Sequence, residues 1–163
     1  IFIAAMKKLA KHRPVTVLLT GPARGYVKNG LESAGIPFRH VLVDDFSGML
    51  KCYQALDLYV VASRDEGGPL SLPASMASGV PLVSTPVGMA PDMINHGENG
   101  FLAETEDANG IAALAARLAD DPELRRRFAK NGLDTVVDYD WAAIAHRHFA
   151  EVYTPLLKEL GRL

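Results

Sequence analysis

Runs of apolar and β-branched residues alternate along this chain with stretches in which apolar residues return every third or fourth position. Phe2, Ile3, Met6, Leu9 and Ala10 fall on one face of a helix, Lys7, Lys8 and Lys11 on the other, and Pro14 ends the pattern. Residues 15–20 then form an unbroken apolar run closed by Gly21 and Pro22, the pattern of a strand buried on both faces. The alternation continues with strands over 40–43, 58–62, 81–84 and 100–103, and with helices over 24–34, 49–55 and 72–78. Three further helices follow near 107–119, 122–136 and 140–159, with Pro122 in a first turn and Asp140 as a cap. Strands alternating with helices predict an α/β fold, a Rossmann-like doubly wound parallel sheet. Such sheets bind ligands beyond the carboxyl ends of their strands, which directs attention to the loops after Thr20, Val43, Ala62 and Ser84.

Composition changes this picture little. The 163 residues fit one domain, and 17 basic against 19 acidic residues leave no basic face for nucleic acid. Cys52 is the lone cysteine, so no internal disulfide forms, and a buried structural thiol in a reducing compartment is the expectation. No run approaches the length of a membrane-spanning segment, and a cytoplasmic location is the expectation that goes with a reducing compartment. The chain opens on Ile1 inside a helical pattern, so further sequence upstream is expected.

The loop after Ala62 carries the most chemistry. It joins a carboxylate, Glu66, to Gly67 and Gly68 and to the start of a helix with Ser71 as expected cap and Pro73 in its first turn. Glycines let a backbone approach a ligand, and free amides at a helix start suit a diphosphate without a metal. Taken alone, these residues fit an ordinary glycine-rich connection equally well.

The run from Glu66 to Gly88, EGGPLSLPASMASGVPLVSTPVG, resembles the signature of retaining GT-B glycosyltransferases of the GT4 type, the glycosyl transferases group 1. Residues 53–63 before it and 91–102 after it agree, and the resemblance runs from about residue 1 to 155. It implies that 1–163 form a single C-terminal donor-binding domain, one half of a GT-B fold, with a C-terminal helix over 140–160. The acceptor domain and the first strand of the pattern would precede Ile1. The implied reaction moves a sugar from a UDP-, GDP- or ADP-sugar to a saccharide or lipid-linked acceptor, with retention and without cofactor or metal. The acceptor would be held through the N-terminal domain. Peripheral contact at the inner face of the membrane and the oligomeric state stay open.

The resemblance also assigns residues. Glu66 matches the first of two glutamates and would accept hydrogen bonds from the transferred sugar as the catalytic carboxylate. Backbone amides of Gly67, Gly68, Leu70 and Ser71 would hold the diphosphate, whereas Pro69 has no N–H. The second glutamate, which grips the ribose, is replaced by Ala74, so that contact is lost unless Ser75 or a water supplies it. The loss of such a bond costs about 1.5–3 kcal/mol. Val43 and Asp44 stand where relatives meet the base; Asp44 and Asp45 are equally candidates to cap the next helix, the reading preferred here. A basic Arg and Lys pair belongs to a loop before Ile1, and neither Arg24 nor Arg64 matches it; both read as solvated, so the isolated domain is expected to be inactive alone. The alternative is a degenerate, non-catalytic member serving as a scaffold. The triplet Arg125–Arg127 reads as solvated surface, with anionic lipid as its other reading.

Overall fold

The apolar runs become parallel strands with helices on both faces, in a computed structural model that describes residues 1–162. In chain order these are α1 (Phe2–Leu9), β1 (Val17–Thr20), α2 (Gly25–Ser33), β2 (Phe38–Val41), α3 (Phe46–Gln54), β3 (Tyr59–Val61), α4 (Ser71–Ala77), β4 (Leu82–Ser84), α5 (Ala90–Met93), β5 (Phe101–Leu102), α6 (Ala108–Asp120) and α7 (Pro122–Val136). A 3-10 turn (Val137–Tyr139) then leads into α8 (Trp141–His148), a π-helical stretch (Phe149–Tyr153) and α9 (Thr154–Glu159). The architecture is α/β and Rossmann-like.

The strands form two parallel ladders. β1 pairs with β2, setting Val17 opposite Phe38, and β4 lies between β3 and β5, with Val83 opposite both Val60 and Phe101. On one face, Val17, Leu19, Val83 and Phe101 share a core with Ala5, Met6 and Leu9 of α1, Ile111, Ala115 and Leu118 of α6, and Phe128 of α7. Phe101 and Phe128 meet edge to face with ring centres 4.9 Å apart. On the other face, Val61, Leu82, Leu72 and Met76 pack with Ala90, Met93 and Ile94. β4, with a neighbour on each side, is buried at every position, which is why its sequence is apolar without alternation.

Several boundaries differ from expectation, each for a local reason. The second strand lies at Phe38–Val41 rather than 40–43 because Pro37 closes the preceding turn and its carbonyl accepts from Val17 N–H at 2.9 Å. The following helix starts at Phe46, three residues early, because the Asp45 carboxylate accepts from Gly48 N–H at 2.5 Å and caps it. Ser71 is not a cap. Leu70 occupies that place without a side-chain bond, and Ser71 is the first helical residue. Asp121 and Asp140 do cap α7 and α8.

In the arginine triplet Arg126 and Arg127 are exposed, as expected of solvated surface, and Arg125 is half-buried. Arg125 bonds the Leu118 and Ala119 carbonyls at the end of α6, Arg126 pairs with Glu123, and Arg127 donates to the Gly97 carbonyl.

Candidate functional site

The carboxyl ends of β3 and β4 build one unit. Beyond Val61 the chain turns outward through Ser63–Arg64–Asp65–Glu66–Gly67–Gly68, and beyond Ser84 it turns through Thr85–Pro86–Val87–Gly88. Thr85 is fully buried, and its hydroxyl donates to the Ser63 carbonyl at 2.8 Å, tying the two turns together. Ser63 in turn donates its hydroxyl to Glu66 Oε1 at 2.5 Å. The carboxylate of Glu66 is thus oriented from its own loop while it remains exposed to solvent.

Gly88 supports this loop from beneath. Its φ is +51°, and a Cβ there would stand 2.8 Å from the Glu66 carbonyl oxygen and 3.0 Å from the Gly68 nitrogen. Backbone therefore packs on backbone, at a position that only glycine fills without displacement. Pro69 is buried beside it, and Met89 lies near Gly68. Leu72 N–H donates to the Pro69 carbonyl and Ala74 N–H to that of Leu70, which winds the chain into α4. Among the described residues, the amides of Gly67, Gly68, Leu70 and Ser71 donate to no backbone carbonyl. Glu66 and this group of free amides occupy one exposed rim, an arrangement able to hold a polar ligand through a carboxylate at one end and N–H donors at the other.

Arg64 is not merely solvated. It forms an ion pair with Glu106, which lies ahead of α6 at φ +68°, so the loop after β3 is tied sideways to the loop after β5. Each partner favours the other's charged form: Arg64 holds the Glu106 carboxyl below its ordinary range, and Glu106 raises the Arg64 guanidinium above its own. Arg24 instead donates to the Thr20 carbonyl at 2.8 Å.

Ala74 is half-buried on α4. Ser75 cannot make up for it, because Ser75 is fully buried and its hydroxyl donates to the Val80 carbonyl at 3.1 Å. Val43 and Asp44 are not gathered with Glu66. They border a separate hollow of about 510 Å³ with Leu18, Val41, Lys51 and Cys52. Asp45 is committed to its cap, whereas Asp44 is exposed. A larger open cleft of about 880 Å³ runs from Ala62–Asp65 to the start of α1 and to Tyr26 and Gly30 of α2. Among the described residues no three His, Cys, Asp or Glu side chains gather to hold a metal, and no helix is long and apolar enough to cross a membrane.

Sequence reasoning missed Ser63, Thr85 and the Arg64–Glu106 pair. Its one available signal was that Ser63 and Thr85 each stand just beyond a strand of the sheet, where a hydroxyl has main chain within reach.

Comparison with known proteins agrees with this geometry. Residues 1–135 match the family model for glycosyl transferases group 1. The chain is 34% identical over 110 residues to the D-inositol 3-phosphate glycosyltransferase of Thermobispora bispora, covering 68% of this chain and 26% of that one. It superposes on the crystal structure of the C-terminal domain of a glycosyl transferase group 1 family protein, LpcC, from Francisella tularensis with a TM-score of 0.73 and 30% identity, covering 86% of this chain and 78% of that one. The fold is also similar to that of Anabaena HepE, solved in complex with UDP-glucose (TM-score 0.80, 21% identity, 94% of this chain and 44% of that one). The chain spans less than half the length of the curated relatives it matches.

Proposed function

The chain belongs to the glycosyl transferases group 1 family, and from that premise we propose that it is the donor-binding domain of a retaining glycosyltransferase. The observation that carries this reading is the rim at the carboxyl end of β3, where Glu66, oriented by Ser63 and braced by Gly88, stands beside the free amides of Gly67, Gly68, Leu70 and Ser71.

Each part of that rim has a task in sugar transfer. The Glu66 carboxylate accepts from hydroxyls of the sugar and fixes its orientation, and bonds to a charged acceptor are about twice as strong as neutral ones. The amides bind the diphosphate. As the anomeric bond breaks, negative charge grows on the departing phosphate oxygen, and fixed N–H dipoles that need no reorganisation stabilise it. This arrangement asks for no metal. The base is held by backbone near Val43, with Asp44 as the one free carboxylate there. The ribose loses the contact that a glutamate at position 74 would give. The acceptor, a saccharide or a lipid-linked one, is held by a second domain at the membrane's inner face or in the cytoplasm, so the domain alone has little activity.

Calorimetric titration with UDP, GDP and ADP tests the reading, beginning with UDP, the nucleotide part of the UDP-glucose held by the Anabaena protein. One nucleotide is expected to bind, and Ala74→Glu is expected to tighten it about tenfold, the factor that one charge-assisted bond of about 1.5 kcal/mol supplies. Glu66→Gln should weaken the nucleotide sugar but leave the free nucleotide's affinity unchanged. Failure of every nucleotide to bind either the native chain or Ala74→Glu would sink the donor-site assignment.

A further inference from the structure

On the donor-site reading, a nucleoside diphosphate spans two places. Its base lies in the hollow bordered by Val43, Asp44, Lys51 and Cys52 at α3, and its diphosphate lies at the rim of Gly67, Gly68, Leu70 and Ser71 ahead of α4. The ribose joins the two, so it crosses from α3 to α4. Those helices share one face of the sheet. Tyr53 of α3 meets Tyr59 of β3 edge to face with ring centres 5.6 Å apart, and Tyr59 packs on the cluster that holds Leu72 and Met76 of α4. Each helix starts beyond the carboxyl end of a strand, α3 after β2 and α4 after β3.

One side of α4 is open to that ring. Leu72, Ser75 and Met76 are turned into the core, and Met76 packs on Gly132 of α7. By helical spacing Leu70, Ala74 and Ala77 fall on the opposite side, where Leu70 and Ala77 are exposed and Ala74 is half-buried. None of the three carries a side-chain hydrogen-bonding group.

The main chain and the hydroxyls around Ala74 are already committed. Ala74 N–H donates to the Leu70 carbonyl at 3.2 Å. The Ala74 carbonyl accepts twice, from Ser78 N–H at 3.1 Å and from the Ser78 hydroxyl at 2.8 Å, which uses both of its lone pairs. The Ser75 hydroxyl donates to the Val80 carbonyl at 3.1 Å, inside the core. Pro73 has no N–H. Ser71 and Glu66 stand at the rim itself, where the diphosphate and the transferred sugar engage them.

A wall of this kind cannot count hydroxyls. A site built to bond a hydroxyl rejects the analogue that lacks it, because its own polar groups are then left unpaired, whereas an apolar surface discriminates weakly between the two. We propose that this donor site does not read the ribose 2′-hydroxyl, so that its donors include sugars carried on 2′-deoxyribonucleoside diphosphates as well as on ribonucleoside diphosphates. The inference rests on the donor-site reading and adds to it a class of donor.

Calorimetry tests it by titrating each of UDP, GDP and ADP beside its 2′-deoxy counterpart, a pair that differs by one oxygen atom. For whichever base binds, the two members of the pair are expected to bind the native chain within about threefold of each other. Ala74→Glu is expected to open a gap of about tenfold in favour of the ribonucleotide, because a carboxylate at that position accepts from the 2′-hydroxyl. A ribonucleotide preference above about threefold in the native chain would overturn the proposal and leave the donor-site reading standing. An equal response of both nucleotides to Ala74→Glu would place the ribose away from this side of α4 and overturn it as well. Failure of every nucleotide to bind either form would remove the donor-site reading and this inference with it.

Discussion

Gly88 and Tyr53 each show a residue whose surroundings fix its chemistry. At Gly88 two constraints coincide, a left-handed backbone at φ +51° and main-chain atoms of Glu66 and Gly68 where a side chain would begin. The conformation alone costs about 1–2 kcal/mol for a residue with a Cβ. The contacts add displacement of the loop that carries Glu66. Gly88→Ala should therefore lower stability by at least that amount in urea unfolding and weaken nucleotide-sugar binding in the same protein. Unchanged binding would separate the loop from the donor site. Tyr53 is buried against Tyr59, ring centres 5.6 Å apart, and burial first, then the neighbouring Tyr59, pushes its hydroxyl up to about 12. The native state thus keeps a proton that the unfolded chain releases near its ordinary value of 10. Its contribution is complete below about pH 10 and is lost as pH rises from there toward about 12, where the unfolded state binds fewer protons. Urea midpoints measured at about pH 9 and about pH 11 should fall between the two, and Tyr53→Phe should flatten that fall.

At the scale of elements, the sequence was legible wherever one periodicity ruled and illegible wherever a single side chain set the boundary. Leu82–Ser84 reads as a strand because both of its faces are covered, and Ala108–Asp120 reads as a helix because Ile111, Ala112, Ala115 and Leu118 recur on one side. α3 begins early because one carboxylate, Asp45, reaches Gly48, and α4 begins without the cap that Ser71 was expected to provide. Glu66 and the glycines were readable as a candidate site from their place after a strand, but their bracing by Ser63, Thr85 and Gly88 joins separate turns and leaves no local pattern. Asn99 is another such joint. It is 3% exposed, donates to the Met93 carbonyl and to Thr135 Oγ1, and accepts from Asn95 N–H, so one side chain fixes the end of α5 to α7. Asn99→Ala should cost about 1–3 kcal/mol, because it strands buried partners as well as removing bonds. Thermal unfolding checks this, and a loss below about 0.5 kcal/mol, the level of an ordinary surface change, would mean water replaces the side chain.

Across the whole molecule, packing ends before the described chain does. The two core clusters are complete by Tyr139, and among the described residues none from Trp141 onward belongs to them. In the helical arm Trp141–Glu159, Trp141 is 77% exposed, Phe149 57% and Leu156 48%, and the principal tie to the body is Arg147 donating to the Asp138 carbonyl. The arm is broken by the π-helical stretch into α-helices of 8 and 6 residues, and isolated helices shorter than about 12–15 residues are marginal in water, since most helical stability in proteins comes from burying an apolar face. The arm should therefore open on its own while the sheet and its flanking helices stay closed. Two measurements follow. Amides from Trp141 onward should exchange far faster than those of α6 and α7. Ending the chain after Asp140 should change the unfolding free energy of the remainder by less than about 1 kcal/mol, because little apolar area leaves the core with it. A loss of several kcal/mol, or a change in oligomeric state on truncation, would show instead that the exposed row of Phe149, Val152 and Leu156 is covered in solution.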